Sequence, residues 1–237
     1  MDASANMDLV SPAVNASDVP KLVVLCTDPA HGAGEMVAHL ILALGDQLTA
    51  TDGDVRRRGT VLLVDVLERL PAGALPATTL ERLVDFFTDR LSDYLTTGAV
   101  LRGLTALVRL PLAEAAPLKI LTTLLEGCDV RSLVQAERQA AMLLTFGLVE
   151  RRWDSLATSG ARLLLSTVRA IDGEKDPRNL VLYLQLMRAL CAACEASQSP
   201  GAGEALGEVF DSLVCYFPIT FTPPPNDPHQ ITAQHLL

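Results

Sequence analysis

Apolar residues return at helical spacing in one segment after another, and that rhythm constrains the fold of this chain more than any other feature. Between Met36 and Leu48 they fall at 36, 37, 40, 41, 44 and 48, a single helical stripe. Leu80, Leu83, Val84, Phe87 and Leu91 repeat the pattern. The same reading predicts helices over 55–70, 97–110, 113–128, 135–152, 154–171, 176–196 and 204–216. Hydrophobic residues make up 49% of the chain but aromatic residues only 4%, with Leu and Ala dominant, which favours helices over sheets.

The second helices of successive pairs are predicted to start near Asp54, Thr97, Gln135 and Asp176. Those starts are spaced within or close to the roughly 40–47 residues of HEAT and armadillo repeats. A helix pair cannot bury its own apolar faces, so stacked neighbours must build one continuous core. The predicted fold is therefore all-α, an α-solenoid of HEAT/armadillo-like helix pairs over residues 20–217. Local signals agree. Asp52-x-x-Val55-Arg56-x-x-Gly59 resembles the HEAT turn between paired helices, in which an Asp and an Arg at fixed spacing pair between neighbouring repeats; Asp129-Val130-Arg131 is a looser echo. Thr78 and Glu81 offer a capping box. Asp176 suits an N-cap, Pro177 the first helical position, and Gly173 the left-handed turn before them.

Outside the repeats, residues 1–19 are small and polar and are expected to form a disordered tail. Residues 218–231 read as a proline-rich connector, and 232–237 as the start of a helix that leaves the last apolar face without a cap.

No catalytic constellation emerges. Lys21 to Thr27 followed by Gly32 and Gly34 mimics a strand feeding a phosphate loop. It lacks both a third glycine and a Gly-Lys-Ser/Thr, so a short helix ending at Asp28-Pro29 is the expectation. There is no Gly-x-Ser-x-Gly elbow and no His-Glu-x-x-His, and the histidines are scattered at 31, 39, 229 and 235. Cys191 and Cys194 fall on a helical stripe with Tyr183, Leu184, Met187 and Leu190. They lack the second pair that a closed metal site needs, so they read as core thiols. The odd cysteines, Cys26, Cys128 and Cys215 included, fit a reducing compartment better than a disulfide framework. A net charge of −9 argues against a nucleic-acid surface, and no uncharged apolar stretch is long enough to span a bilayer. Arg56-Arg57-Arg58 and Arg151-Arg152 read as ladder or solvated charges. No catalytic, cofactor or metal residue is expected.

Near the end runs Cys215-Tyr216-Phe217-Pro218-Ile219-Thr220-Phe221-Thr222-Pro223-Pro224-Pro225-Asn226-Asp227-Pro228-His229. Its prolines exclude a helix and stiffen the chain, and Tyr216, Phe217 and Phe221 are expected to pack on neighbouring helices. With Asp172-Gly173-Glu174-Lys175-Asp176-Pro177-Arg178-Asn179-Leu180 and Phe86-Phe87-Thr88-Asp89-Arg90-Leu91-Ser92-Asp93, it carries a resemblance from about Met36 to the last residue. The chain resembles the N-terminal region of the HEAT-repeat adaptor of the cytosolic iron–sulfur assembly targeting complex, a family named for methyl methanesulfonate sensitivity and linked to DNA repair and transcription. The resemblance implies a non-enzymatic scaffold of cytoplasm and nucleus. It would link targeting subunits to apo iron–sulfur clients such as DNA helicases and polymerases, with no cofactor of its own, no direct nucleic-acid contact and no membrane. Family members are several times longer. A generic HEAT-type transport or regulatory module is the alternative. Glu174 and Lys175, expected as exposed turn residues, are candidate partner contacts, together with Asn226, Asp227 and His229 in the proline-rich stretch.

Overall fold

The computed structural model describes residues 3–28, 30, 32–219 and 231–236. Among them it is all-α, built from paired helices of the solenoid class, and none forms a strand. Two compact units divide the chain, Met1–Ala116 and Pro117–Leu237. The helices in the first are α1 (Ala3–Asn15), α2 (Val19–Thr27), α3 (Ala33–Ala43), α4 (Gly45–Leu48), α5 (Gly53–Leu67), α6 (Ala77–Asp89) and α7 (Thr97–Val108). Then come α8 (Ala116–Gly127), α9 (Gln135–Leu156), α10 (Gly160–Ile171), α11 (Pro177–Ala196) and α12 (Ala202–Val214). The second helices of the pairs, α5, α7, α9 and α11, start 44, 38 and 42 residues apart, the predicted repeat.

In the first unit α3 packs on α1 and α2, α5 on α2 and α7, and α6 on α7. Met36, Leu40, Leu63, Phe87, Leu101 and Leu104 are fully enclosed. Gly103 lets α7 close on the Phe87 ring, which an added Cβ would approach to 2.7 Å. Residues 3–15 are not the expected tail: they form α1, whose Val10, Ala13 and Val14 are buried. The composition there is polar enough to mislead, yet its few apolar residues fall on one face. Helix α2 runs from the Asp18 cap to Thr27, so the apolar run before the glycines is helical. The expected capping box at Thr78 is absent. Helix α6 begins two residues earlier, behind Pro76, and no side chain caps it.

In the second unit α11 packs on α9 and α10, and α12 on α10. Helix α9 is kinked at Arg152, where φ is −135°, the point at which the predicted helix over 135–152 ends. Cys194 is buried in α11 and Cys191 half-buried, and loss of hydration raises the pKa of both thiols. Cys215 is exposed. Helix α12 buries Ala205 and Val209 and leaves Leu206, Phe210 and Val214 exposed. Tyr216 packs edge-on to Tyr183, 6.2 Å between ring centres, but Phe217 is exposed. Of the proline-rich connector, Phe221 and the triple proline lie outside the described residues. The predicted helix start at 232 is a single 3-10 turn, Ala233–His235, capped by Thr232.

Candidate partner-binding site at the turn between α10 and α11

The turn is built from the end of α10, whose Leu164, Val168 and Ile171 are anchored in the core. Gly173 takes the left-handed conformation at φ +82°, which reverses the chain at no Cβ cost. Three residues later Asp176 has extended backbone and caps α11: its carboxylate accepts from the Arg178 backbone N–H at 3.0 Å, and Pro177 sets the first turn. Tyr216 completes the corner, its hydroxyl accepting from the Gly173 N–H at 2.9 Å.

Between these points the Glu174 side chain turns inward and is only 2% exposed. Arg138 of α9 donates to both its carboxylate oxygens, Nε at 2.8 Å and Nη2 at 2.9 Å. The Lys175 and Asp176 N–H groups donate to Oε1 at 2.9 and 3.0 Å, and the Asn179 amide donates to Oε2 at 3.0 Å. Asn179 is itself fully buried. It accepts from the Gln135 amide at 2.9 Å and donates to the Gln135 carbonyl at 3.2 Å. Arg138 also donates to the Leu133 carbonyl at 2.8 Å. A carboxylate taken out of water is held only where every lone pair finds a donor, and this one is so held.

Burial alone would raise the Glu174 pKa. The Arg138 guanidinium, the Asp176 N–H and the Asn179 amide outweigh it, and the carboxyl sits below its ordinary range. Asp176 is likewise lowered, first by the Arg178 guanidinium. Burial pushes the Tyr183 phenol beneath the turn up to about 12.

The same rung occurs in the first unit. Arg56 occupies the fourth position of α5, as Arg138 does in α9. It donates to Asp93 at 2.8 Å and to the carbonyls of Ala50 and Thr51, both at 2.8 Å. Asp52, expected as the ladder acid, caps α5 instead. The echo at Asp129-Val130-Arg131 forms only an exposed contact at 4.0 Å, and the ladder arginine of that repeat is Arg138. Sequence reading missed Arg138, Gln135 and Asn179. The available signal was an Arg four residues into a second helix with an acid one repeat further on.

Of the predicted contacts, Glu174 is not an exposed turn residue, because the rung consumes its carboxylate. Lys175 is exposed, on the rim of two hollows. One, about 280 Å³, is lined by Val130, Arg131 and Met142; the other, about 730 Å³, by Leu180, Tyr216 and Ile219. Asn226, Asp227 and His229 lie outside the described residues. Among those described, no three His, Cys, Asp or Glu side chains are placed to share a metal ion. The arrangement is a fixed corner that presents Lys175 and Asp172 beside two hollows. It can recognise a surface.

Residues 41–237 match the family described as the Dos2-interacting transcription regulator of RNA-Pol-II. Similar curated relatives carry the name MMS19 nucleotide excision repair protein homolog. The Danio rerio protein is 37% identical over 205 residues, 85% of this chain and 19% of the relative. The Homo sapiens protein is 32% identical over 203 residues, with 85% and 19% covered. The Arabidopsis thaliana protein is 29% identical over 205 residues, with 84% and 18% covered. The chain thus spans about a fifth of the length of these relatives.

Proposed function

Because the chain belongs to the MMS19 N-terminal family, we propose that it acts as a non-enzymatic adaptor in cytosolic iron–sulfur cluster assembly. In this reading it binds apoprotein clients of DNA repair, replication and transcription, helicases and polymerases among them, in cytoplasm and nucleus. It passes them to the targeting subunits of the assembly machinery. The observation that carries the reading is the family match across residues 41–237. The relatives' name, for nucleotide excision repair, and the family's description, for transcription regulation, agree with that client class.

The chemistry of an adaptor is surface complementarity without bond making. A corner locked by Arg138, Glu174 and Asn179 supports it, because a pre-formed surface loses little entropy when a partner docks. Net charge −9 disfavours direct contact with nucleic acid, so DNA-linked partners are met as proteins. The test is affinity capture from cell extract with the 237-residue chain as bait, read by mass spectrometry against an unrelated helical-repeat bait. Iron–sulfur enzymes enriched on this chain are the expected result. Enrichment of trafficking factors without iron–sulfur enzymes would replace the reading with a transport or regulatory module.

A further inference from the structure

The first unit has an open seam that the turn site does not use. Helix α3 buries Met36, Val37 and Leu40 against its neighbours and turns Ile41 and Leu42 the other way, toward α6. At one end Gly34 lies against the Pro76 ring, where a Cβ would come within 2.2 Å. Beyond that contact an apolar groove runs between the helices, with Leu63 of α5 as floor and Leu83 and Phe86 as the α6 wall. Leu42 on its rim is 68% exposed.

We propose that this groove docks a short acidic amphipathic helix from a partner protein. At about 240 Å³ it falls below the roughly 300–1,000 Å³ of small-molecule pockets, so it suits anchoring side chains over a whole ligand. Two helices forming the walls of an apolar trough are the geometry that receives a third helix through large residues one turn apart. Charge selects among such helices. Among the described residues Arg82 is the one charged side chain lining the groove, and it has no ion pair with any of them. Arg90, one turn beyond Phe86, lies over that ring at 5.6 Å, so a second cation stands at the wall's end. A carboxylate beside the docked anchors would meet the Arg82 guanidinium in a two-point pair, while a lysine there would be repelled. The inference does not depend on the clients being iron–sulfur proteins.

The experiment pans a displayed random peptide library, long enough for four helical turns, against the 237-residue chain and against Leu42→Glu and Arg82→Glu. Both side chains are exposed, and circular-dichroism melts confirm that the variants fold. Expected are peptides with paired large apolar residues one turn apart and a neighbouring Asp or Glu. Fluorescence anisotropy should show their binding weakened about tenfold or more by Leu42→Glu. Arg82→Glu should lose the acidic peptides and accept versions carrying Lys in place of the acid. The proposal is overturned if no recovered peptide depends on Leu42, or if the Leu42-dependent peptides are basic. It is also overturned if sedimentation shows Leu42→Glu dissolving a dimer of the chain, which would make a second copy the occupant.

Discussion

Arg138 and Glu174 lie 36 residues apart in the chain and meet in a two-point ion pair, at 2.8 and 2.9 Å, with the carboxylate 2% exposed. Removing one partner of such a pair strands the other without a counter-charge. Glu174→Ala is expected to cost about 3–5 kcal/mol, measured by urea melts. Lys175→Ala, next to it but exposed, should stay within about 0.5 kcal/mol. Equal effects at the two positions would sink the rung as the anchor of this turn.

The depressed Glu174 carboxyl makes stability depend on pH in a defined direction. Its folded pKa lies below the unfolded value of about 4.3, so the unfolded chain binds the extra proton and stability rises with pH in that window. The contribution is complete above the unfolded pKa and is lost as pH falls through the folded one. Melts from neutral pH downward should therefore fall more steeply for the native chain than for Glu174→Gln, with the difference opening only in the carboxylate range. Parallel curves would show that Glu174 titrates normally.

The repeat was legible because each stripe, from Met36 to Leu48 or Leu80 to Leu91, records burial on one helix, and burial is local in sequence. The cap at Asp176 was legible for the same reason, since its acceptor and its donors are two residues apart. The rung was not. Arg138 and Glu174 look like surface charges until α9 and α11 are stacked, and only the stack takes the carboxylate out of water. The lone visible hint was Arg56 in the turn motif, whose acid proved to be Asp93, one repeat on, and not Asp52. Helix α1 was missed because Asn6, Asp8 and Ser11 outweigh, by composition, the face formed by Val10, Ala13 and Val14. At the candidate site the sequence found the corner and the exposure of Lys175, but it left Glu174 exposed beside it, where the structure buries the carboxylate.

Asp176→Ala should cost roughly 1 kcal/mol, the usual loss for an N-cap, because the Arg178 N–H loses its acceptor at the start of α11. The same denaturant series reports it. Asp176→Asn, which keeps an acceptor, should recover most of the loss. A variant neutral in stability that abolishes client capture would make Asp176 a contact residue instead.

Two glycines inside helices should respond in opposite directions to the same change. At Gly103 a Cβ would stand 2.7 Å from the ring of Phe87, which is fully buried and cannot move away, so Gly103→Ala should destabilise by about 1–3 kcal/mol. At Gly207 nothing lies within 4 Å of the added carbon, and Gly207→Ala should stabilise α12 by about 0.5–1 kcal/mol through backbone entropy. Thermal melts of both variants check the signs. A destabilised Gly207→Ala would mean that this face of α12 is covered in solution.

Short distances alone do not rank the ion pairs. Arg102 lies 2.7 Å from Asp65 and 2.6 Å from Glu68, closer than Arg138 to Glu174, yet its side chain is 44% exposed. Water and salt screen such a network, and two flexible side chains must be ordered to make it, so Arg102→Ala should cost about 1 kcal/mol or less. Arg138→Ala leaves Glu174 charged and 2% exposed and should cost several times more. A double-mutant cycle separates the two cases. Coupling between Arg138 and Glu174 should exceed about 1 kcal/mol and survive high salt, while that between Arg102 and Glu68 should fade as salt rises. If the exposed pair proved the stronger, burial would not be what gives the Arg138 rung its hold, and the corner that carries Lys175 would have to be fixed by the Gly173 turn, the Asp176 cap and the Tyr216 hydroxyl.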